Sequence, residues 1–251
     1  MERLCSRAPA AASYRIRADD GALAALTDLT YDDCIEGPNQ GALAPERRER
    51  GERGKSFGPR DLFDYIYAVL HSPAYRARYA DYLKNDFARI PLPGSRALFE
   101  ALVPVGTELV ALHLLDADAL AILKDPKGIR LAGSGEARVA HKPEYDAKLG
   151  RRTINTTRWF ESVPQVAWDF HVGGYQPAQK WLKDRAAKGG KKASDGRILT
   201  DDAILHYRRM ISALTRTAEV MPKIDGIVDK HGGWPGAFRG MTDAPAAEAV
   251  A

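Results

Sequence analysis

At 251 residues, with 45% hydrophobic and 28% charged positions, the chain has an ordinary globular composition and enough length to bury a core as one large or two small domains. No apolar run approaches the about 18 residues of a membrane span, and two cysteines (Cys5, Cys34) with six scattered histidines exclude a disulfide framework and a His-rich metal site, so no membrane partner is expected. The net charge of +4 is unevenly spread: 15 Lys and Arg against 18 Asp and Glu over residues 1–123, 16 against 8 over 124–200, and 6 against 7 over 201–251. The cationic surplus therefore sits in one third of the chain, as the footprint of a polyanionic partner would; a solvated basic face without a partner explains it equally well from charge alone.

The N-terminus, MERLCSRAPAAASYRIR, lacks the unbroken apolar core of a secretory signal, so a cytoplasmic location is expected. Residues 1–58 read as weakly ordered and end in an Arg-, Glu- and Gly-rich linker without hydrophobic period. Order begins near Pro59. Leu62, Phe63, Ile66, Tyr67 and Leu70 recur at helical spacing behind Asp61, whose carboxylate suits a helix N-terminus. Ser72-Pro73 then supplies an N-cap and a first-turn proline for a second helix, on which Tyr75, Tyr79, Tyr82 and Leu83 form a packing stripe rather than a base-stacking platform. Ser95 caps a third helix through Leu98, Phe99, Leu102, Leu109 and Leu112, with Pro104 and Gly106 placed to kink it.

After Asp125-Pro126 the pattern changes. The runs IRLAG, ARVAHK, RRTINTTRWF and QVAWDFHVGG, separated by turn residues, predict an antiparallel sheet of three to five strands. Gly173-Gly174-Tyr175 reads as a tight turn with the ring packed beneath it, Gln176–Arg185 as a helix, and AAKGGKKASDGR as a flexible basic loop. Thr200–Met221 is the clearest helix, with Ile204, Tyr207, Ile211 and Leu214 on one face; Pro222 is expected to break or kink it before Lys223–Lys230. Everything after His231 reads as a frayed tail. The expected fold is α+β: a helical N-terminal subdomain, a small antiparallel β-sheet and a helical C-terminal unit, with 1–58 as linker, 59–230 as the working domain and 231–251 as tail.

Catalytic motifs are missing from the sequence. There is no Pro-Pro dipeptide for an amino-methyltransferase loop, and Gly133-Ser134-Gly135 lacks the helix-opening glycine of a cofactor turn. No GxxxxGK[ST] phosphate loop occurs. Asp125-Pro126-Lys127 and Asp146-Ala147-Lys148 match only the trailing half of a metal-nuclease pattern, which is common by chance. Binding chemistry remains. Lys142, Lys148, Arg151, Arg152, Asn155, Thr156, Thr157 and Arg158 combine cations for phosphates with side chains able to read base edges. On a single strand through 151–158, Arg151 and Asn155 would point the same way. Lys188, Lys191, Lys192 and Arg197 offer phosphate contacts from the basic loop, and Tyr175 and Gln176 could enter a groove.

Three stretches carry a family likeness: DLFDYIYAVLHSPAYRARYADYLKNDFARIPLP, INTTRWFESVPQVAWDFHVGGYQPAQKWLKDR and DDAILHYRRMISAL. Together, over about residues 59–230, they make the chain resemble the C-terminal specificity domain of Type ISP restriction–modification enzymes, large polypeptides that join a nuclease, a translocase, an adenine methyltransferase and a DNA-recognition domain. The resemblance implies a non-catalytic target-recognition domain that reads an asymmetric site in duplex DNA beside an adenine-N6 methyltransferase core. Its partners would be duplex DNA and the methyltransferase/helicase portion of such an enzyme. It implies no cofactor in this chain, with S-adenosylmethionine belonging to the methyltransferase. The upstream methyltransferase is missing here, as in a truncated gene or a separately encoded subunit. The family likeness designates no base-reading residue, so the candidates above rest on charge and placement. The alternatives are a docking module, or truncated remnant, that binds a methyltransferase core without reading DNA, and a small nuclease built on Asp146 or Lys148.

Overall fold

The structure is a computed structural model and describes residues 30–31, 50, 56–85, 87–116, 123, 128–140, 144–187 and 192–239. It is an α+β fold, as the sequence pattern predicts, built on two main hydrophobic cores, with strands β1 (Thr30–Tyr31) and β2 (Ser56–Phe57) paired in parallel ahead of the first helix. Most of the expected linker 1–58 and the end of the tail, 240–251, lie outside the described residues.

The first core is helical. Helices α1 (Pro59–His71), α2 (Pro73–Arg78) and α4 (Arg96–Leu114) begin where the caps predict, whereas the single helix expected after Ser72-Pro73 is split at Tyr79 into α2 and α3 (Ala80–Asn85). The Asp61 carboxylate accepts from Gly58 N at 2.9 Å, and Ser95 Oγ from Leu98 N at 3.2 Å. Helices α1 and α4 lie side by side and run in the same direction: Phe57 meets Phe99, Asp64 meets Gly106 and Thr107, and His71 meets His113. Gly106 permits this approach, because a Cβ there would overlap the Asp64 carbonyl. Helix α4 runs unbroken through Pro104. The fully buried Asp64 carboxylate is held by Arg60 Nε at 3.0 Å, Thr107 Oγ1 at 2.7 Å and the Arg50 guanidinium. A buried charge needs such partners. Arg50 and the buried Phe57 thus contribute to this core from within the span expected to be linker.

Two sequence expectations are corrected here. Over 19 residues α4 has a mean hydropathy of 1.5, so by length and composition one helix could cross a membrane; its buried face packs against α1 and the long C-terminal helix. The span 231–239 is not frayed. Ala237 and Phe238 are buried, Trp234 stacks on Phe238 at 4.2 Å, and strand β8 (Phe238–Arg239) pairs antiparallel with β3 (Leu92–Pro93). The expected tyrosine packing stripe holds only in part: Tyr75 is buried with its hydroxyl on Arg89 O at 2.7 Å and Tyr79 packs on Tyr75, but Tyr82 is half exposed.

The second core lies under a four-stranded antiparallel sheet of β4 (Arg130–Gly133), β5 (Glu144–Asp146), β6 (Arg151–Thr153) and β7 (Arg158–Glu161), ordered β4-β7-β6-β5. The expected strand QVAWDFHVGG is instead the short helix α5 (Gln165–Trp168), started by Pro164 and burying Ala167 and Trp168, followed by a turn bridging Val172 and Tyr175. Helix α6 (Pro177–Lys183) follows.

Helix α7 (Asp201–Lys230) belongs to both cores. It starts at Thr200, whose side chain accepts from Ala203 N, and continues through Pro222 where a break is expected. Tyr207, Ile211 and Leu214 are fixed in the sheet core, and Val220, Ile224 and Val228 in the helical core, so packing on both sides outweighs the lost hydrogen bond. Pro222 faces solvent, where water can serve the freed carbonyl. Asp225 then ties α7 to the start of α2: it accepts from Ser72 Oγ and, at 3.0 Å, from Ala74 N, while Ser72 Oγ itself accepts from Tyr75 N.

A proton-ordered chain joins α1, α4 and α7. Thr217 Oγ1 donates to Ala213 O at 2.8 Å, so its lone pair receives His113 Nε2–H at 3.0 Å. That leaves His113 Nδ1 to accept from the Tyr67 hydroxyl at 2.6 Å. The assignment requires a neutral imidazole, and burial, with the Arg76 charge, holds the His113 pKa down. Neighbouring His71 donates from Nδ1 to Tyr67 O at 2.7 Å; burial first, then the Arg76 charge, push it down to about 4 against that hydrogen bond.

Two predictions follow from this packing. Gly106→Ala should destabilise the chain by about 1–3 kcal/mol in urea unfolding, since helix α1 must shift to admit one methyl group; an unchanged midpoint would contradict the close α1–α4 contact. His71 binds fewer protons folded than unfolded between its pKa of about 4 and the ordinary 6.5. Stability should therefore fall as pH drops through that window, by at most about 3 kcal/mol. His71→Gln should remove most of that slope, measured as the urea midpoint from pH 7.5 to 4.5.

Candidate nucleic-acid interface

Strand register sorts the predicted binding residues into faces. Directly paired residues share a face. The pairs Arg130–Glu161, Ala132–Trp159, Thr153–Trp159, Glu144–Thr153 and Asp146–Arg151 therefore lie outward, while Leu131–Phe160, Arg152–Phe160 and Tyr145–Arg152 lie inward. The outward face is not basic. Its cations Arg130 and Arg151 share it with three acids, Glu144, Asp146 and Glu161, and Arg130 Nε sits 2.8 Å from Glu161. Arg151 packs over the Trp159 ring at 5.0 Å and reaches Glu161 at 3.9 Å. Hydrogen bonds from Arg130 and Trp159 hold the Glu161 carboxyl below the usual range.

Arg152 is corrected from a DNA contact to a core residue. It is 1% exposed, with its guanidinium carbon 2.9 Å from the Trp168 ring centroid and 4.2 Å from that of Tyr145. The two rings stack nearly parallel and the cation lies between them. Nε and Nη2 are buried without a hydrogen-bond partner, and desolvation pushes the pKa down, to about 9, against the opposing influence of Tyr207, Tyr145 and Asp169.

Residues 151–158 are not one strand. Strand β6 ends at Thr153 and residues 154–157 turn into β7, so Arg151 and Asn155 do not share a face of one strand. Asn155 builds the turn. Its Oδ1 accepts from Thr157 N at 2.9 Å and Arg158 N at 2.7 Å, and its Nδ2 donates to Glu136 O at 3.0 Å and Arg138 O at 2.9 Å. A carboxamide with both ends engaged in this way stabilises the loop rather than reading a base. Arg158 Nη1 donates to Gly135 O at 3.0 Å.

These bonds weld three segments into one end of the sheet: residues 133–138, the turn 154–157 and residues 192–198. Arg138, which the sequence reading passed over, completes the weld. It pairs with Glu136 at 2.7 Å, donates to Ser194 O at 2.6 Å and Gly196 O at 2.7 Å, and bridges Ile198. Its signal was present in the alternating run ARVAHK, where one charged residue interrupts an apolar pattern. This end exposes Ser134, Thr156, Thr157, Lys192 and Arg197. Neither Lys192 nor Arg197 has an ion-pair partner among the described residues. Nearby Arg185 lies 3.6 Å over the Trp181 ring; burial first, then the like charge of Arg197, lower its pKa.

The remaining candidates lie elsewhere. Lys148 is exposed in the turn between β5 and β6, at the opposite end of β6, where Asp146 Oδ1 accepts from Lys148 N at 3.0 Å and Leu149 N at 3.2 Å. Tyr175 is 50% exposed in the turn before α6, so its ring is not packed beneath the glycines, and Gln176 is the N-cap residue of α6 without a side-chain cap bond. Lys142, Lys188, Lys191 and the Asp125-Pro126-Lys127 triplet lie outside the described residues. Among the described residues no group of three or more His, Cys, Asp or Glu is placed to hold a metal ion.

The family model of the Type ISP C-terminal specificity domain matches residues 19–223. The chain belongs to this family. The match starts at residue 19, well upstream of the stretch near residue 59 where the likeness is legible by eye. Among solved structures, the chain is similar to a nuclease-deletion mutant of the Type ISP restriction-modification enzyme LlaGI in complex with a DNA substrate mimic, at 27% identity and TM-score 0.49 over 67% of this chain and 14% of that one. It is also similar to the ATP-dependent Type ISP enzyme LlaBIII bound to DNA (24% identity, TM-score 0.49, 65% of this chain and 11% of that one) and to a DrdV–DNA complex (25%, 0.46, 68% and 18%). The chain thus spans less than a fifth of the length of each of these proteins. No curated protein matches it.

Arg152→Met should leave stability within about 1 kcal/mol of the parent or raise it, because an apolar side chain of similar length fills the slot without a desolvated charge. DNA affinity of the folded variant should not change. A loss of affinity without a loss of stability would return Arg152 to the interface.

Proposed function

We propose that this domain reads a site in duplex DNA for a Type ISP restriction–modification enzyme in the cytoplasm, working beside the methyltransferase/helicase portion and performing no chemistry itself. S-adenosylmethionine would be bound by the methyltransferase. The observation that carries the placement is the welded end of the sheet. Lys192 and Arg197 supply cations without carboxylate partners among the described residues, while Ser134, Thr156 and Thr157 supply exposed hydroxyls on loops braced by Asn155, Arg138 and Arg158. Cations orient the protein on phosphates, and short polar side chains on a rigid scaffold can meet base edges in a groove. The outward sheet face is a poorer candidate, because its acids outnumber its cations. Phe63 and Tyr82, each about half exposed on the helical unit, suit docking against the methyltransferase portion instead.

A salt-titrated gel shift on duplex DNA, with the methyltransferase portion present, tests this placement. Lys192→Glu with Arg197→Glu should weaken binding by about tenfold or more and lower the salt slope by about one per lost phosphate contact. Unchanged affinity and slope would sink the assignment of this end.

A further inference from the structure

Between the helical and sheet units lies a cleft of about 900 Å3, sharing no residue with the welded end of the sheet. That volume belongs to the size class of ligand sites. Tyr67, Leu83 and Leu112 line one side, and Phe170, Pro177 and Met210 the other. Its charged groups are cationic. Arg76, Lys84 and four of the six histidines line it, and no Asp or Glu is among the described lining residues.

The histidines differ in what they offer. His113 is spent in the Tyr67–His113–Thr217 chain, with both ring nitrogens bonded. His71 is not. Its Nδ1–H is bonded to Tyr67 O, so in the neutral ring Nε2 carries a lone pair, and no described residue meets it. Burial keeps that ring neutral at physiological pH. His71 also stacks on Tyr67 at 4.4 Å, placing a flat aromatic pair at the wall. Arg76 donates from Nε to Leu70 O at 2.6 Å, an arrangement that anchors the guanidinium. Among the described residues Lys84 pairs only with exposed Asp81, at 3.1 Å, an ion pair of small worth that an anion can displace.

A ligand complementary to these walls has a planar apolar ring system, a hydrogen-bond donor for His71 Nε2 and a negative charge for Arg76 and Lys84. We infer that the cleft binds a nucleoside monophosphate unit whose base carries an exocyclic amino group, either as free nucleotide or as the phosphorylated end of a strand. The site is independent of the DNA-reading end and stands or falls without it.

The test is calorimetric titration of the full chain with AMP, with 5′-phosphorylated dinucleotide, and with adenosine and inorganic phosphate as halves of the ligand. Saturable binding of AMP or the dinucleotide is expected, with either half at least about tenfold weaker. Tighter binding of the dinucleotide than of AMP identifies a strand end as the source; the reverse identifies free nucleotide. Arg76→Gln and Lys84→Gln should each weaken AMP by about tenfold. Lys84 is well exposed, so its variant carries the test if Arg76→Gln disturbs the fold. His71→Phe, which keeps the ring and removes the acceptor, should weaken AMP but leave UMP unchanged. No saturable binding of either phosphorylated ligand at millimolar concentration, or AMP affinity indifferent to Arg76 and Lys84, overturns the assignment.

Discussion

Both main cores close on one helix. Helix α7 contributes Tyr207, Ile211 and Leu214 to the layer beneath the sheet and Val220, Ile224 and Val228 to the helical unit, so the relative placement of the two units depends on its running unbroken between them. Everything attached to it reinforces that continuity. Asp225 caps α2 from below, Thr217 receives His113 from α4, Arg216 pairs with Glu108 at 2.6 Å, and Arg208 donates to Ile129 O at 2.5 Å on the sheet side. A helix held at so many points tolerates a proline that would break it in isolation. The lost hydrogen bond is local, whereas breaking the helix would open both cores.

That arrangement also separates the labours of the two units. The helical unit is braced by buried polar contacts, including Asp64 between two guanidinium groups and Tyr65 and Tyr75 bonded to the carbonyls of Pro91 and Arg89. Such contacts fix geometry more than they add net stability. The sheet unit carries the exposed loops, and its rigidity comes from side chains of the loops themselves. Asn155 joins the hairpin turn to the 136–138 backbone, and Arg138 joins that backbone to 194–196. The welded end therefore combines loop-borne polar groups with the stiffness of a sheet edge, the combination that site geometry on a scaffold requires.

Much of the helical unit was legible in the sequence because its signals are local. Ser72-Pro73, Ser95 and Thr200 act as caps where their chemistry places them, and the spacing of Leu62, Ile66 and Leu70 marks α1. The misreadings share a non-local cause. Pro222 is outweighed by packing with residues distant in sequence, and Ala237 and Phe238 look like tail residues until β3 supplies their partner strand. QVAWDFHVGG has strand composition, yet Pro164 and the burial of Trp168 against Arg152 make its first part helical. Arg152 itself was illegible as a core residue. Nothing in RRTINTTRWF distinguishes the arginine that faces inward from the one that faces Glu161, since that depends on register with Tyr145 and Phe160.

The same point bears on what net charge can say about a nucleic-acid surface. The basic third of the chain, 124–200, is where the cationic surplus lies, but most of its described arginines have structural work. Arg130 pairs with Glu161, Arg138 with Glu136 and two carbonyls, Arg151 packs on Trp159, Arg152 is buried, Arg158 serves Gly135, and Arg185 lies on Trp181. A cation already bonded to a carbonyl or carboxylate has part of its donor geometry committed, and binding a phosphate with it means breaking or sharing that bond. What distinguishes a surface able to take up a polyanion is therefore the residual set of uncommitted cations, not the sum over a segment. In the described structure that set comprises Lys148, Lys183, Lys192 and Arg197, and of these Lys192 and Arg197 lie on the welded end beside the Thr156–Thr157 turn. The uncommitted cations proposed to meet DNA would thus sit on loops that the side chains of Arg138 and Asn155 hold still.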